Sequence, residues 1–149
     1  MKRSPRAAAR ILIALAIMVS SSSCLSSTEA RPSLSNLSGT WTYTAAQTSP
    51  VRENLAGTLT ISSESGASFQ GRLDVVGSNP QTQQNRVLGG VVSGSTQGSD
   101  VIDFDANLET APRRHVGQIV ADTVTGTWVG SSPDGGMVSG TFRIEKETR

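Results

Sequence analysis

The sequence predicts an all-β fold, an up-and-down antiparallel eight-stranded β-barrel, behind an N-terminal secretory signal. Two observations carry the fold prediction. A short phrase of apolar residue, any residue, glycine, any residue, apolar residue recurs along the chain after residue 37. This spacing alternates with period two, which is the pattern of a strand with one buried and one wet face. No stretch shows sustained helical spacing with caps. Short strands that follow one another at regular intervals are typical of a closed antiparallel sheet.

The predicted strands follow one another in eight segments. In chain order they are Leu37–Tyr43, Leu55–Ile61, Phe69–Leu73, Leu88–Val92, Ile102–Leu108, His115–Ile119, Val124–Trp128 and Val138–Ile144. The segment at His115 fits the phrase loosely and leaves two registers open, with either His115, Gly117 and Ile119 or Val116, Gln118 and Val120 facing inward.

All six aromatic residues of the chain fall on the predicted inner face: Trp41, Tyr43, Phe69, Phe104, Trp128 and Phe142. A slip of one residue would invert every side chain, so this agreement favours the assigned registers. A transmembrane barrel would need an apolar outer band with aromatic girdles. The predicted outer face carries Thr, Ser and charged residues instead, which argues against that geometry.

The longer connections are expected at one rim of the barrel. In an up-and-down barrel, the connections at 47–53, 77–86, 109–114 and 130–136 share one end, and both ends of the barrel domain lie at the other. Four arginines fall in or beside these loops: Arg52, Arg86, Arg113 and Arg114. They predict recognition of an anionic head group. A solvated set of loops, with Glu53, Glu109 and Asp134 offsetting the charge, is the alternative.

The first 23 residues form the predicted signal. Basic residues come first, the apolar run 11–19 follows, and four serines precede Cys24. That order is typical of a secretory signal, and the run is too short for a bilayer span of roughly 20 residues. We therefore divide the chain into a signal peptide at 1–23, a cysteine with a flexible tether at 24–36 and the barrel domain at 37–149.

The placement of Cys24 resembles the lipobox of bacterial lipoproteins. The resemblance implies that the thiol of Cys24 is acylated and that the mature protein is held extracytoplasmically on a bacterial membrane. Leu25, rather than Asp, follows the cysteine, which implies the outer membrane if the cell is Gram-negative. Ser21 stands where the family usually has an aliphatic residue, so ordinary secretion with a free thiol stays open as the alternative.

Cleavage changes the charge of the protein. The signal removes four basic residues and no acidic one, which leaves nine basic against twelve acidic residues, a net charge of −3. Nucleic-acid binding needs a basic face, so a nucleic-acid partner is not expected.

The opening Gly39-Thr-Trp41 resembles the Gly-x-Trp that begins the first strand of lipocalins and avidin-like proteins. Small barrels of bacterial metalloprotease inhibitors share this opening. These families imply binding rather than catalysis. No cofactor is expected. Avidin-like proteins close a biotin pocket with several tryptophans, and with only Trp41 and Trp128 this chain is not expected to bind biotin.

Catalysis is not expected. His115 is the only histidine, and no Gly-x-Ser-x-Gly elbow is present. The run Asp103-Phe-Asp105-Ala-Asn107 opens like a calcium loop, but Leu108 stands where that loop needs glycine and Arg114 where it needs glutamate, so an acidic outer strand face is the better interpretation.

Two functions remain. The first is a carrier of an apolar or amphipathic small ligand, bound by Trp41, Tyr43, Phe69, Trp128, Phe142, Arg86, Arg113 and Arg114. The second is a protein-binding module, such as a protease inhibitor or an envelope assembly factor, with a solid core. Small eight-stranded barrels occur in both forms.

Overall fold

The computed structural model describes residues 37–147, apart from residues 99, 110 and 133 and the side chain of residue 63. The predicted signal peptide, Cys24 and the tether lie outside the described residues. Within the described part of the chain, no helix is long and apolar enough to cross a membrane.

Eight antiparallel strands form a closed barrel in chain order, and the first strand pairs with the last. The strands are β1 Gly39–Ser49, β2 Glu53–Ser65, β3 Ser68–Ser78, β4 Asn85–Gln97, β5 Val101–Leu108, β6 Ala111–Val120, β7 Thr123–Ser131 and β8 Met137–Lys146. The all-β up-and-down barrel predicted from the sequence is therefore confirmed.

The inner face is the one that the alternation predicts. All six aromatic side chains are buried, and the core continues through aliphatic residues of every strand. In β6 the register with His115, Gly117 and Ile119 inward is correct, because His115 is fully buried whereas Val116 and Val120 are 42% and 69% exposed.

Glycine in mid-strand lets neighbouring strands coil tightly around the narrow interior. A Cβ atom added to Gly90 in β4 would lie only 1.7 Å from the carbonyl oxygen of Asn107 in β5. No side chain fits at that distance, so Gly90 is required by the close approach of the two backbones.

One end of the barrel, here called the closed end, is plugged by the start of the described chain. Leu37 is buried there, and the Trp41 indole Nε1 donates a hydrogen bond of 2.8 Å to the Leu37 carbonyl. The Lys146 ammonium lies 5.5 Å from the Trp41 ring centroid, and the Glu147 amide donates to Thr40. Both ends of the described chain thus meet at this end, as predicted.

The opposite end, here called the mouth, carries the connections 50–52, 79–84, 109–110 and 132–136. The prediction of long loops at one rim holds for two of these four, at 79–84 and 132–136. It is wrong for the loop at 47–53, because the strands leave only 50–52 between them, no more than 98–100 at the closed end. It is also wrong for the loop at 109–114, because only residues 109 and 110 separate β5 from β6. Arg113 and Arg114 therefore lie on β6 and point to opposite sides of the barrel wall, since successive strand residues alternate.

Candidate ligand-binding site at the mouth

A hydrogen-bonded polar network crosses the half of the interior nearer the mouth, here called the upper interior. The half nearer the closed end is called the lower interior. The His115 ring Nδ1 lies 3.0 Å from the Arg113 carbonyl oxygen, and Nε2 lies 3.0 Å from the Tyr43 hydroxyl. A carbonyl can only accept, so Nδ1 carries the proton and donates, and Nε2 accepts from the Tyr43 hydroxyl. Burial lowers the pKa of His115 to about 3 and raises that of Tyr43, so both side chains are neutral.

Aromatic rings surround this network and fill the interior below it. His115 stacks on Phe104 with ring centroids 4.5 Å apart, and Phe142 meets it edge-on at 5.1 Å. Phe69 continues the packing towards the closed end through Phe104. Side chains therefore occupy the lower interior, and a ligand would have to bind nearer the mouth.

Arg113 is the most unusual side chain of the upper interior. It is 4% exposed, and its guanidinium carbon lies 4.8 Å from the centroid of the Trp128 ring, a cation–π contact. Gly130, its neighbour on β7, leaves room for it, because an added Cβ there would lie 2.9 Å from the Arg113 Cγ. Burial, followed by repulsion from Arg86, lowers the pKa of Arg113 from its ordinary value. An arginine nevertheless stays protonated in proteins, so a positive charge lies inside the barrel.

Three buried polar atoms in this region have no hydrogen-bond partner within the described part of the chain. They are Nε of Arg113, Nε1 of Trp128 and Oε1 of Gln47. Gln47 and Trp128 share a neighbour, since Gly140 pairs with both in the sheet. Buried polar groups are almost always paired, and leaving one unpaired costs about 1–3 kcal/mol. The upper interior therefore contains two N–H donors and one oxygen acceptor that a water or a bound molecule would satisfy.

An ion pair between Glu53 and Arg86 lies at the rim of the mouth. Glu53, the first residue of β2, accepts from Arg86 at both oxygens, with Nε–Oε1 at 2.6 Å and Nη2–Oε2 at 2.5 Å. Glu53 is nearly buried, whereas the Arg86 side chain is 41% exposed. Both carboxylate oxygens of Glu53 are engaged by Arg86. The charges of Glu53 and Glu109 act on Arg113, but within the described part of the chain neither forms an ion pair with it.

An open cleft of about 560 Å³ lies over the mouth. Its walls are Gln47, Val51, Glu53 and Arg86 with part of the β3–β4 connection. Asn79 stabilises this connection through its side-chain oxygen, which accepts from the Gln81 amide at 2.8 Å. The cleft has the size of a small-molecule site, its walls are mostly polar, and one of them is Gln47, which carries an unpaired atom.

The structure brings together only part of the predicted ligand-binding set. Tyr43, Trp128, Phe142 and Arg113 surround the upper interior, and Arg86 lies at the rim. The other three predicted residues lie elsewhere.

Trp41 packs at the closed end, and Phe69 lies in the core next to Phe104. Arg114 faces outward and binds Asp103 through Nη2 and Oδ2 at 2.7 Å. The Arg114 contact lowers the pKa of Asp103 and confirms that this acidic run is an outer strand face.

Sequence reasoning missed Gln47 as a site residue and treated Glu53 only as an offsetting charge. The alternation of inward and outward positions along the strands could have found both residues. Extending the inward positions of β1 beyond Tyr43 leads to Gln47, and extending those of β2 back from Leu55 leads to Glu53. Both side chains are less than 10% exposed. The same extension from His115 leads to Arg113.

Metal binding has no support among the described residues, where no group of three or more His, Cys, Asp or Glu side chains could hold an ion.

Fold and site together define the class of protein: a small closed antiparallel barrel with a packed lower interior and a polar mouth. No protein-family model matches the chain, and no curated protein matches its sequence at a significant level. Solved structures do match. EF1p2_mFAP2b bound to DFHBI has a TM-score of 0.61 at 12% identity and covers 74% of this chain and 94% of that one.

Two further matches are barrels of the same size. The redesigned β-barrel mFAP1, bound to DFHBI, has a TM-score of 0.55 at 15% identity, with coverage of 74% and 94%. A de novo designed fluorescence-activating β-barrel has a TM-score of 0.53 at 16% identity, with coverage of 74% and 93%. Because the identities are this low, these similarities show the fold of the chain and nothing about its function.

Proposed function

We propose that this protein is a lipid-anchored extracytoplasmic binding protein that holds a small amphipathic ligand at the mouth of its barrel. The observation that carries the proposal is the set of unpaired buried polar atoms of Gln47, Arg113 and Trp128, together with the open cleft that Gln47 lines. A binding role without catalysis or a cofactor agrees with the neutral, structurally engaged state of His115. EF1p2_mFAP2b and the redesigned β-barrel mFAP1, which have a similar fold and are bound to DFHBI, add support by analogy.

Attachment at Cys24 suits this geometry. The described chain enters the barrel at the closed end, next to the last residue of β8. A flexible tether over 24–36 would have a reach of about 20 Å. A lipoprotein carrying more than one acyl chain would stay attached to its membrane. The mouth would then face away from the bilayer, where a ligand can enter.

The anchor is tested by mass spectrometry of the protein from membranes of an expressing bacterium. Acylation predicts a mature chain that begins at Cys24 and carries lipid, and a Cys24→Ser variant that is released from the membrane. An unmodified chain cut among the serines would contradict the anchor without affecting the binding proposal.

Binding at the mouth is tested by thermal unfolding of the secreted Cys24→Ser chain against fatty acids, haem-like compounds and signalling lipids. Ligands that bind only the folded state raise the melting temperature in a saturable way. Val51→Trp should fill the cleft and remove the shift. The matched control is Val120→Trp, which places the same side chain on the outer surface at the closed end, where Val120 is 69% exposed. Equal shifts in both variants would contradict a site at the mouth.

A protein-binding module is the second candidate, and two observations favour it. The lower interior is packed with rings, and a second open cleft of about 420 Å³ lies over β1, β2 and β8, with Ala46 and Ala56 among its lining residues. Pull-down from envelope extract with the secreted chain tests this function. A stoichiometric partner that is lost with Ala56→Arg would support it, and absence of any partner with folded bait would count against it.

A further inference from the structure

We infer that the ligand of the mouth carries a carboxylate head and that Arg113 is the residue that selects it. This inference rests on the proposed function and names the chemical class of the molecule that the mouth takes. Arg114, the next residue in the chain, lies on the outer face and serves as the matched reference.

The first step of the argument is the buried charge of Arg113. The guanidinium is buried, its carbon lies 4.8 Å from the centroid of the Trp128 ring, and its Nε has no acceptor among the described residues. Its carboxylate neighbour Glu53 is held by Arg86 at both oxygens. A buried charge is normally paired, and an anionic ligand would supply the missing partner.

The second step is the shape of the donor set. A guanidinium presents Nε–H and an Nη–H in one plane, which matches the two oxygens of a carboxylate. Trp128 adds a further unpaired N–H, and Gln47 an unpaired carbonyl oxygen that can accept from a hydroxyl or amide elsewhere on the ligand. A head group that accepts from two nitrogens fits this arrangement better than a neutral or cationic head.

The third step is the charge around Arg113. The two cations of Arg113 and Arg86 and the two anions of Glu53 and Glu109 act on one another, so the cluster is balanced overall. Glu109 is exposed and forms no ion pair with Arg113, so the buried guanidinium can still accept a carboxylate. A monocarboxylate adds less negative charge beside Glu53 than a dianion such as a phosphate monoester would, so the charges favour a monocarboxylate head.

The test compares octanoate, octanol and octylammonium, which differ only in the head group, by isothermal titration of the secreted Cys24→Ser chain. We expect octanoate to bind roughly tenfold or more tightly than octanol and octylammonium, the range for a charge-assisted hydrogen bond. Arg113→Met keeps an apolar side chain of similar length over Trp128 and should reduce the preference to about one. Arg114→Met should keep it. Inorganic phosphate alone serves as a control for a nonspecific anion and should not compete with octanoate.

The outcomes separate the inference from the proposed function. Equal affinity for octanoate and octanol in the unmodified barrel, or an unchanged preference in a folded Arg113→Met variant, overturns the inference and leaves binding at the mouth intact. If none of the amphiphiles of either test binds, the proposed function itself fails. If Arg113→Met does not fold, the head-group comparison in the unmodified barrel decides. A purely structural Arg113 would lower stability without changing the preference between head groups.

Discussion

We expect mild acid to destabilise this barrel, and the cause is His115. The imidazole is fully buried between Phe104 and Phe142, and burial lowers its pKa to about 3. In the unfolded chain the same group has its ordinary pKa of about 6.5. Below that value the unfolded state binds a proton at His115 and the folded state does not. The contribution of neutral His115 to the free energy of unfolding is therefore complete above about pH 6.5 and is lost as the pH falls towards the folded pKa.

The magnitude follows from the size of the shift. Well below the unfolded pKa, each pH unit removes about 1.4 kcal/mol, so we expect a loss of about 2 kcal/mol in the free energy of unfolding between about pH 7 and about pH 5. His115 is the only histidine of the chain. The pKa values of Asp103 and Asp134 are lowered, so these carboxylates titrate below this window.

Urea unfolding at a series of pH values, followed by tryptophan fluorescence, measures this loss directly. His115→Gln is the control, since an amide can still donate to the Arg113 carbonyl and accept from Tyr43 but does not titrate. Its stability should be flat over the same range. A flat curve for the unmodified protein, or an imidazole that titrates near 6.5 in the folded state by NMR, would refute the buried neutral histidine.

Three further predictions concern packing and the rim. Trp41→Ala should lower the free energy of unfolding in urea by about 3–5 kcal/mol, because it removes a buried ring at the closed end. The outward Thr42→Ala should be near neutral, and similar urea midpoints for the two variants would contradict the register. Gly90→Ala should lower the free energy of unfolding by about 1–3 kcal/mol, because the added Cβ collides with the β5 backbone. Gly136→Ala, at the exposed β7–β8 connection, should lower it less. Comparable losses in the two variants would argue against the close approach of β4 and β5. Glu53→Gln should cost about 1 kcal/mol and reduce the salt dependence of stability; an unchanged salt dependence would show that the ion pair with Arg86 contributes nothing.

The sequence predicted the strands well because their alternation is strong and local. Phe104 and Phe142, for example, each lie two residues from another inward apolar side chain, so the buried face is visible without any knowledge of the partner strand. The shared rim of the long connections followed from topology alone.

The site was harder, because polar residues at inward positions break the pattern that reveals the inward face. Arg113 lies between Ala111 and His115 on β6, but an arginine beside a second arginine is typical of a solvated loop. Its burial depends on the Trp128 ring and on the space beside Gly130, which are brought near only by strand pairing. No local pattern in the sequence contains that information.

The pairing of β1 with β8 also governs how the chain reaches this structure. It joins the two strands that are farthest apart in the sequence, and its entropic cost must be met before the last rows of backbone hydrogen bonds form. Until that seam forms, β1 and β8 expose unpaired edges to which other chains can add. A molecule that is still folding is therefore most prone to aggregate just before the seam closes, and changes along the seam should affect the yield of folded protein more than changes elsewhere on the wall.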